Sequence, residues 1–251
     1  MRPWRWDPSV ALVLPTADRP AVSADTVREC LHALVQQGRR LAVTGALAPS
    51  EQDGFLAAGF GTREHLHLLV HDLTDLRALA ERSTQRSAQR AVRPRLRRAR
   101  RGDRPAVLAV DAAAFDDFWR LDDPGLDEAQ AATPVSRLRV AETFSPGGAP
   151  AVAGYAVCGR AGPRGYLQRL AVVPSAQRAG VGTALVVDGL TWMRRRGAQR
   201  AVVNTQEGNA SALALYERLG FERQAEGLVV LTYDLTDLTG ATGLAPFASR
   251  R

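Results

Sequence analysis

Along most of the chain apolar residues either alternate or cluster over short runs, or recur every three to four positions over longer ones. The clearest succession of these signals lies between Gly165 and Gly197. A β-type run over 167–173 stops at Pro174, a glycine-punctuated loop follows, and the apolar spacing then predicts a helix over 181–196 that ends at Gly197. A further strand is predicted over about 199–204. Upstream, the short apolar run PAVLAV (105–110) predicts a strand, and 111–119 the start of a helix with Asp111 as its cap. A break at Asp123-Pro-Gly leads into a second short helix over 124–132. The runs 136–143 and 150–160 predict two strands, with a hairpin-turn signal at Ser145-Pro-Gly-Gly between them.

The loop after Pro174 carries candidate chemistry. It reads Gln177-Arg178-Ala179-Gly180-Val181-Gly182-Thr183. Gly180 and Gly182 lack the Cβ atoms that would keep a ligand off the backbone, and the first turn of the following helix offers unpaired N–H groups at a positive dipole end. Arg178 adds a full positive charge. Such a loop suits a pyrophosphate, although two glycines at this spacing alone also fit a plain tight turn.

The wider context decides between them. The run LAVVP followed by Gln/Arg-x-x-Gly-x-Gly, then Asn209-Ala-Ser-Ala-Leu-Ala-Leu-Tyr216-Glu-Arg-Leu-Gly-Phe221, resembles the Gcn5-related N-acetyltransferase (GNAT) family over roughly 103–237. The resemblance implies an α/β fold with a mixed sheet, whose strand at about 165–173 splays from the strand at 199–204, and an acetyl-CoA co-substrate without a metal. Backbone amides near Leu170, Ala171 and Val172 would hold the pantetheine arm as an added strand would. The loop from Gln177 to Thr183 would hold the pyrophosphate, and Asn209 would contact the pantetheine region. In the family's chemistry a neutral amine attacks the thioester directly in a ternary complex. The amide near Val172 would then be the oxyanion donor and Tyr216 the acid for the departing sulfur; a core aromatic is the plain alternative for Tyr216.

The stretch 113–122 is similar to the acceptor-lining segment of ribosomal-protein alanine N-acetyltransferases within that family. It implies apolar walls at Phe115, Phe118 and Trp119 and an ammonium-attracting carboxylate at Asp122 or Asp123, for an acceptor such as a protein N-terminus or a small amine. Helical spacing alone also yields such aromatic stripes in a core. One departure stands out: where those enzymes carry a basic glutamate, this chain has Asn204, which cannot accept a proton. Glu142 and Glu207 are the two candidates to act in its stead through water.

Residues 10–76 align with 170–238 in one continuous pass with two small gaps. Pro15 falls on Pro174, Gly38 on Gly197, Phe55 on Tyr216, Gly59-Phe60 on Gly220-Phe221, and Asp72-Leu-Thr-Asp-Leu76 on Asp234-Leu-Thr-Asp-Leu238. The chain thus reads as a tandem: a worn, truncated GNAT-like half over 1–79, an arginine-rich linker over 80–103, a complete domain over 104–238 and a flexible tail over 239–251. In the worn half the loop glycines are Ala21 and Ser23, Pro20 replaces Ala179, and Phe55 has no hydroxyl to donate. A packing role is expected for it. His65, His67 and His71 share a strand face there without a carboxylate or cysteine to complete a metal site.

Composition adds three constraints. The net charge of +7 comes from arginine alone, since the sequence has no lysine. Arginines at 82, 86, 90, 93, 95, 97, 98, 100, 101 and 104 form a run that reads first as a solvated linker, and secondarily as a footprint for nucleic acid or an acidic partner. No aromatic is interleaved for base stacking. No apolar stretch is long enough to span a membrane, no signal-peptide pattern opens the sequence, and Cys30 and Cys158 stand apart; together these lead to the expectation of a cytoplasmic enzyme, monomer or homodimer. The competing expectation is a non-catalytic acetyl-CoA-binding or interaction module contacting an acidic partner through the arginine run.

Overall fold

The computed structural model describes residues 2–5, 7–16, 21–74, 76, 94–143, 150–236 and 238. In chain order the elements begin with β1 (Arg2–Trp4), β2 (Asp7–Val13), α1 (Ala24–Gln36), β3 (Leu41–Thr44), α2 (Pro49–Ala57) and β4 (Gly61–Asp72). Then come β5 (Arg95–Arg98), α3 (Arg104–Ala114), α4 (Asp123–Ala131), β6 (Val135–Thr143), β7 (Ala151–Ala161) and β8 (Arg164–Val172). The chain continues with α5 (Val181–Arg195), β9 (Arg200–Gln206), α6 (Ala210–Arg218), β10 (Glu222–Arg223) and β11 (Leu228–Asp234).

These elements form two compact units, Met1–His67 with Ala225–Arg251, and Leu68–Gln224. In the first, β2 and β3 run parallel from Val10↔Leu41 to Val13↔Thr44, and β11 is antiparallel to both β3 and β4. Val27, Leu31 and Leu34 recur at helical spacing on α1 and pack with Phe55, Phe60, Val229 and Leu231. In the second unit β9, β8, β7, β6 and β5 are successive neighbours, with β8 and β9 parallel and the rest antiparallel. Alternation along β7 feeds two cores. Ala156 and Cys158 join Val181, Leu185, Val186, Leu190 and Met193 of α5, whereas Tyr155 and Val157 join Val107 and Val110 of α3 and Leu126 of α4.

The structure departs from the sequence reading in three places. The run 105–110 is helical, not a strand: α3 starts at Arg104 with Pro105 in its first turn, where a missing N–H costs nothing, and alanines fill the exposed positions. Asp111 accordingly lies near the end of that helix, fully buried, and caps nothing at its start. Within the arginine run, residues 95–98 form an edge strand antiparallel to β6, and Arg101–Asp103 a single 3-10 turn, so this part is structure and not linker. Residues 80–93 and 239–251 and the turn at 145–148 lie outside the described residues. The compact units also divide at 67/68 and 224/225, away from the boundaries read at 79/80 and 103/104. The element order β2-α1-β3-α2-β4 repeats that of β8-α5-β9-α6 followed by a strand.

Candidate active site

β8 and β9 pair only from Arg164↔Arg200 to Tyr166↔Val202, although β8 continues to Val172 and β9 to Gln206. The two strands splay, as the family resemblance implies. Val173 donates its N–H to the Ala153 carbonyl of the neighbouring chain segment (2.9 Å). Because backbone groups alternate along a strand, Ala171 also turns toward β7, while Leu170 and Val172 present theirs to the opened gap. Of the three predicted backbone contacts, two therefore face the gap and the amide of Ala171 is spent within the sheet.

The gap widens into a cavity of about 690 Å³. Its walls include Ala114, Phe115, Leu170–Val172, Gln177, Arg178, Gly180, Gly182, Thr183 and Asn209. One face of α6 completes it through Ser211, Ala212, Ala214, Leu215, Arg218 and Leu219. Two arginines and no carboxylate line this space, which favours an anionic ligand. Gly180 holds the left-handed conformation (φ 92°) as the N-cap of α5, and no side chain caps the helix, so its first-turn N–H groups remain open toward the loop. A Cβ on Gly182 would lie 3.2 Å from Leu215 Cδ2. Of the remaining loop residues, Ala179 is exposed and Val181 is buried in the core beneath the loop. Asn209 caps α6, its Oδ1 accepting from the Ala212 N–H and the Ser211 hydroxyl (both 3.0 Å). These residues fit a coenzyme with an apolar arm and a pyrophosphate.

The predicted catalytic groups are less gathered. Tyr216 is on α6 but faces away from the cavity wall into the core, 5.5 Å from the Phe221 ring, and burial raises its pKa above the ordinary tyrosine value. Glu142 lines a separate cavity of about 500 Å³ with Arg97 and Asp103, and accepts from Arg97 Nε at 2.7 Å. Glu207 is exposed past the end of β9. Neither glutamate lines the first cavity.

The predicted acceptor segment lies between α3 and α4. Phe115 lines the cavity, while Phe118 and Trp119 stack edge to face at 4.9 Å and are half-buried. Asp122 is committed as the N-cap of α4, accepting from Gly125 N–H at 2.8 Å, and Asp123 pairs with Arg104.

What the sequence reading missed is the group that ties this segment down. Arg169, on β8 beside Leu170, donates to both oxygens of the buried Asp111 (2.8 Å each) and to the Trp119 carbonyl (2.7 Å), with its guanidinium 3.5 Å over the Phe115 ring. Asp111 also accepts from Tyr155 Oη and from the Leu121 N–H at 2.6 Å. Nothing in local sequence links positions 111 and 169. Arg218 and Ser211, by contrast, could have been found from the spacing 211, 214/215, 218 that follows the Asn209 cap.

Comparison with known proteins agrees with this geometry. Residues 115–221 match the family described as Acetyltransferase (GNAT) family. N-alpha-acetyltransferase 30 of Schizosaccharomyces pombe is 43% identical over 60 residues, 24% of this chain and 40% of that protein. A mycothiol acetyltransferase of Salinispora arenicola is 35% identical over 140 residues, 48% of this chain and 42% of that protein. The chain therefore spans about two fifths of the length of these relatives. Among solved structures, a tandem GNAT protein from the clavulanic acid biosynthesis pathway superposes with a TM-score of 0.59 at 14% identity, over 84% of this chain and 69% of that one, which speaks for the fold alone. With the splayed strands, the open helix N-terminus and the matched segment together, residues 115–221 belong to the GNAT family of acetyltransferases.

Proposed function

We propose that the protein is an acetyl-CoA-dependent N-acetyltransferase that transfers its acetyl group to a primary amine by direct attack in a ternary complex. The observation that carries this reading is the acid-free cavity running from the open N-terminus of α5 to the gap between β8 and β9. Acetyl-CoA would supply the activated acyl group. Gln177–Thr183 would bind the pyrophosphate, the Leu170 and Val172 backbone would align the pantetheine arm, and the Val172 N–H is suited to the developing oxyanion. Tyr216 is kept protonated by burial, the state an acid for the leaving thiolate requires, and would have to turn from the core toward the cavity to serve as one. Among the described residues no carboxylate lines the cavity, which favours an α-amine with a pKa of about 8, partly neutral already, over a lysine near 10.4.

The relatives' names point to two acceptor classes, an α-amine in one and mycothiol in the other. Peptides with free N-termini and small primary amines are therefore the two panels to compare. A second reading, an acetyl-CoA-binding module without turnover, draws on the commitment of Glu142 to Arg97. The test is a calorimetric titration with acetyl-CoA of the wild type and Gly182→Asp, whose carboxylate would repel the pyrophosphate. Micromolar binding abolished by the substitution is expected. Absence of binding in the wild type would sink the enzyme reading. Binding without turnover on either panel would leave the module.

A further inference from the structure

At the end of β8 away from the cavity, arginines from several elements gather along one end of the sheet, on both of its faces. The turn between β7 and β8 registers Ala161 against Arg164 and Arg160 against Gly165. Arg164 is in turn registered with Arg200 of β9, and Gln199 N–H donates to the Pro163 carbonyl at 2.8 Å, holding the start of β9 against that turn. The last turn of α5 packs on the face that carries Gly165 and its register partner Arg160, opposite the face of Arg164 and Arg200: a Cβ on Gly165 would lie 2.5 Å from Met193 Sδ. Arg194, Arg195 and Arg196 therefore follow at this end, before Gly197 (φ 87°) redirects the chain into β9.

Among the described residues none of these six arginines forms an ion pair with a carboxylate. Arg160 donates to the Gly162 carbonyl, and Asp72 feels the charge of Arg200 without pairing with it. Other arginines of the unit are paired, although Arg95, Arg98, Arg100, Arg101 and Arg218 also form no ion pair among the described residues. Arg97 pairs with Asp103 and Glu142, Arg104 with Asp123 and Asp127, Arg137 and Arg139 with Asp188, Arg169 with Asp111 and Arg223 with Glu217. Complementing the negative end of the α5 dipole accounts for Arg194 and Arg195, but not for Arg160, Arg164 and Arg200 on the strands. Like charges gathered without counter-charge repel one another, so this end of the unit stores a cost that a polyanion would relieve.

We propose that this arginine cluster docks the phosphate backbone of a nucleic acid. The guanidinium fork matches phosphate oxygens in a bidentate fashion. The exposed positions between the arginines are Gly162, Pro163, Gly197 and Gln199, which are small or polar. A protein partner would call for an aromatic or aliphatic anchor at the centre of such a patch, and base readout for a stacking ring. Contact with the backbone, indifferent to sequence, needs neither. Seated there, the nucleic acid would lie about 26 Å along β8 from Val172, at roughly 3.3 Å per residue, leaving the cavity open.

The experiment is fluorescence anisotropy of the full chain with a labelled 20-nucleotide RNA and the matching duplex, from 50 to 300 mM salt. Six phosphate contacts on a single strand give a log–log salt slope of about −4, at roughly −0.7 per contact. Replacing Arg194, Arg195 and Arg196 by alanine is expected to weaken binding at least about tenfold at the lowest salt and to flatten the slope by about 2, while acetyl-CoA affinity stays unchanged. No binding at 50 mM salt would overturn the proposal. So would unaltered binding by the triple variant, which would move the contact elsewhere on the chain. A poly-glutamate peptide that competes as well as the RNA at equal charge would make an acidic protein the partner instead.

Discussion

Replacing Asp111 by asparagine removes the negative member of a buried pair while keeping its shape. In the native protein its two oxygens receive Arg169 Nε and Nη2, the Leu121 N–H and the Tyr155 hydroxyl, with no exposure to water. An asparagine offers one acceptor oxygen, and its NH2 group faces donors. Arg169, whose side chain is 12% exposed, keeps the Trp119 carbonyl and the Phe115 face but must share the one remaining acceptor oxygen at position 111 with the Leu121 N–H and the Tyr155 hydroxyl, and loses its counter-charge. Breaking a buried pair from one side costs about 3–5 kcal/mol, and with four donors affected the expected loss lies near the top of that range. Replacing both members, as Asp111→Leu with Arg169→Met, removes the stranded charge and is expected to recover about half of it, a coupling of about 2 kcal/mol. The assay is urea unfolding followed in the second unit, with hydrogen exchange of the Leu121 amide as the local probe. Because Phe115 walls the cavity, acetyl-CoA affinity should fall with the single variant. A loss under about 1 kcal/mol with Leu121 exchange unchanged would refute the view that this pair holds the 115–122 segment.

Three further outcomes are expected. Tyr216→Phe should cut turnover at least about 100-fold while leaving acetyl-CoA affinity within about twofold, and an unchanged rate would reduce Tyr216 to a core ring. Gly189→Ala would set a methyl 2.7 Å from the Sγ of buried Cys158, and thermal unfolding should register a loss of about 1–3 kcal/mol. His71 is buried against Phe221, and desolvation depresses its pKa below the ordinary 6.5. The unfolded chain then binds the proton more readily than the folded one, so stability should be full above pH 6.5 and decline as the pH falls below it. The neighbouring charges of Asp72 and Glu222 oppose this without reversing it. His71→Leu should flatten that stretch of the stability–pH curve, and a curve as steep as the wild type's would remove His71 as its source.

The sequence was most informative where one local cause decides the structure. Gly180 takes a conformation with positive φ that glycine adopts freely, Asn209 caps the helix that follows it, and α5 follows its apolar spacing. The run 105–110 is ambiguous in sequence because a short apolar stretch fits strand and helix equally, and only the position of Pro105 distinguishes them. The edge strand Arg95–Arg98 was hidden by its charge. Leu96 packs into the core and Arg97 is half-hidden between Asp103 and Glu142, a neutralisation from distant positions that no hydropathy pattern reports. The Asp111–Arg169 pair is illegible for the same reason. The orientation of Tyr216 is a further case: its motif names the residue, while the turn of α6 decides which face meets the cavity.

The two halves of the chain offer an internal comparison of what makes an anion-binding helix end. In the second half the N-cap of α5 is Gly180, no side chain caps it, and its first turn carries no acidic residue. In the first half the N-cap of α1 is Ser23, whose hydroxyl accepts from the Thr26 N–H at 3.2 Å, and Asp25 places a carboxylate in the first turn. That helix satisfies its own dipole and one of its free N–H groups, so an incoming phosphate would meet a competitor and a like charge. The strands agree: among the described residues β2 and β3 stay paired to their last residues, Val13↔Thr44, where β8 and β9 have long parted. Restoring glycine at Ser23 alone should therefore not confer acetyl-CoA binding on the first half, because Asp25 and the closed strand pair would remain. A calorimetric signal with two sites per chain in Ser23→Gly would show that the cap by itself had silenced it.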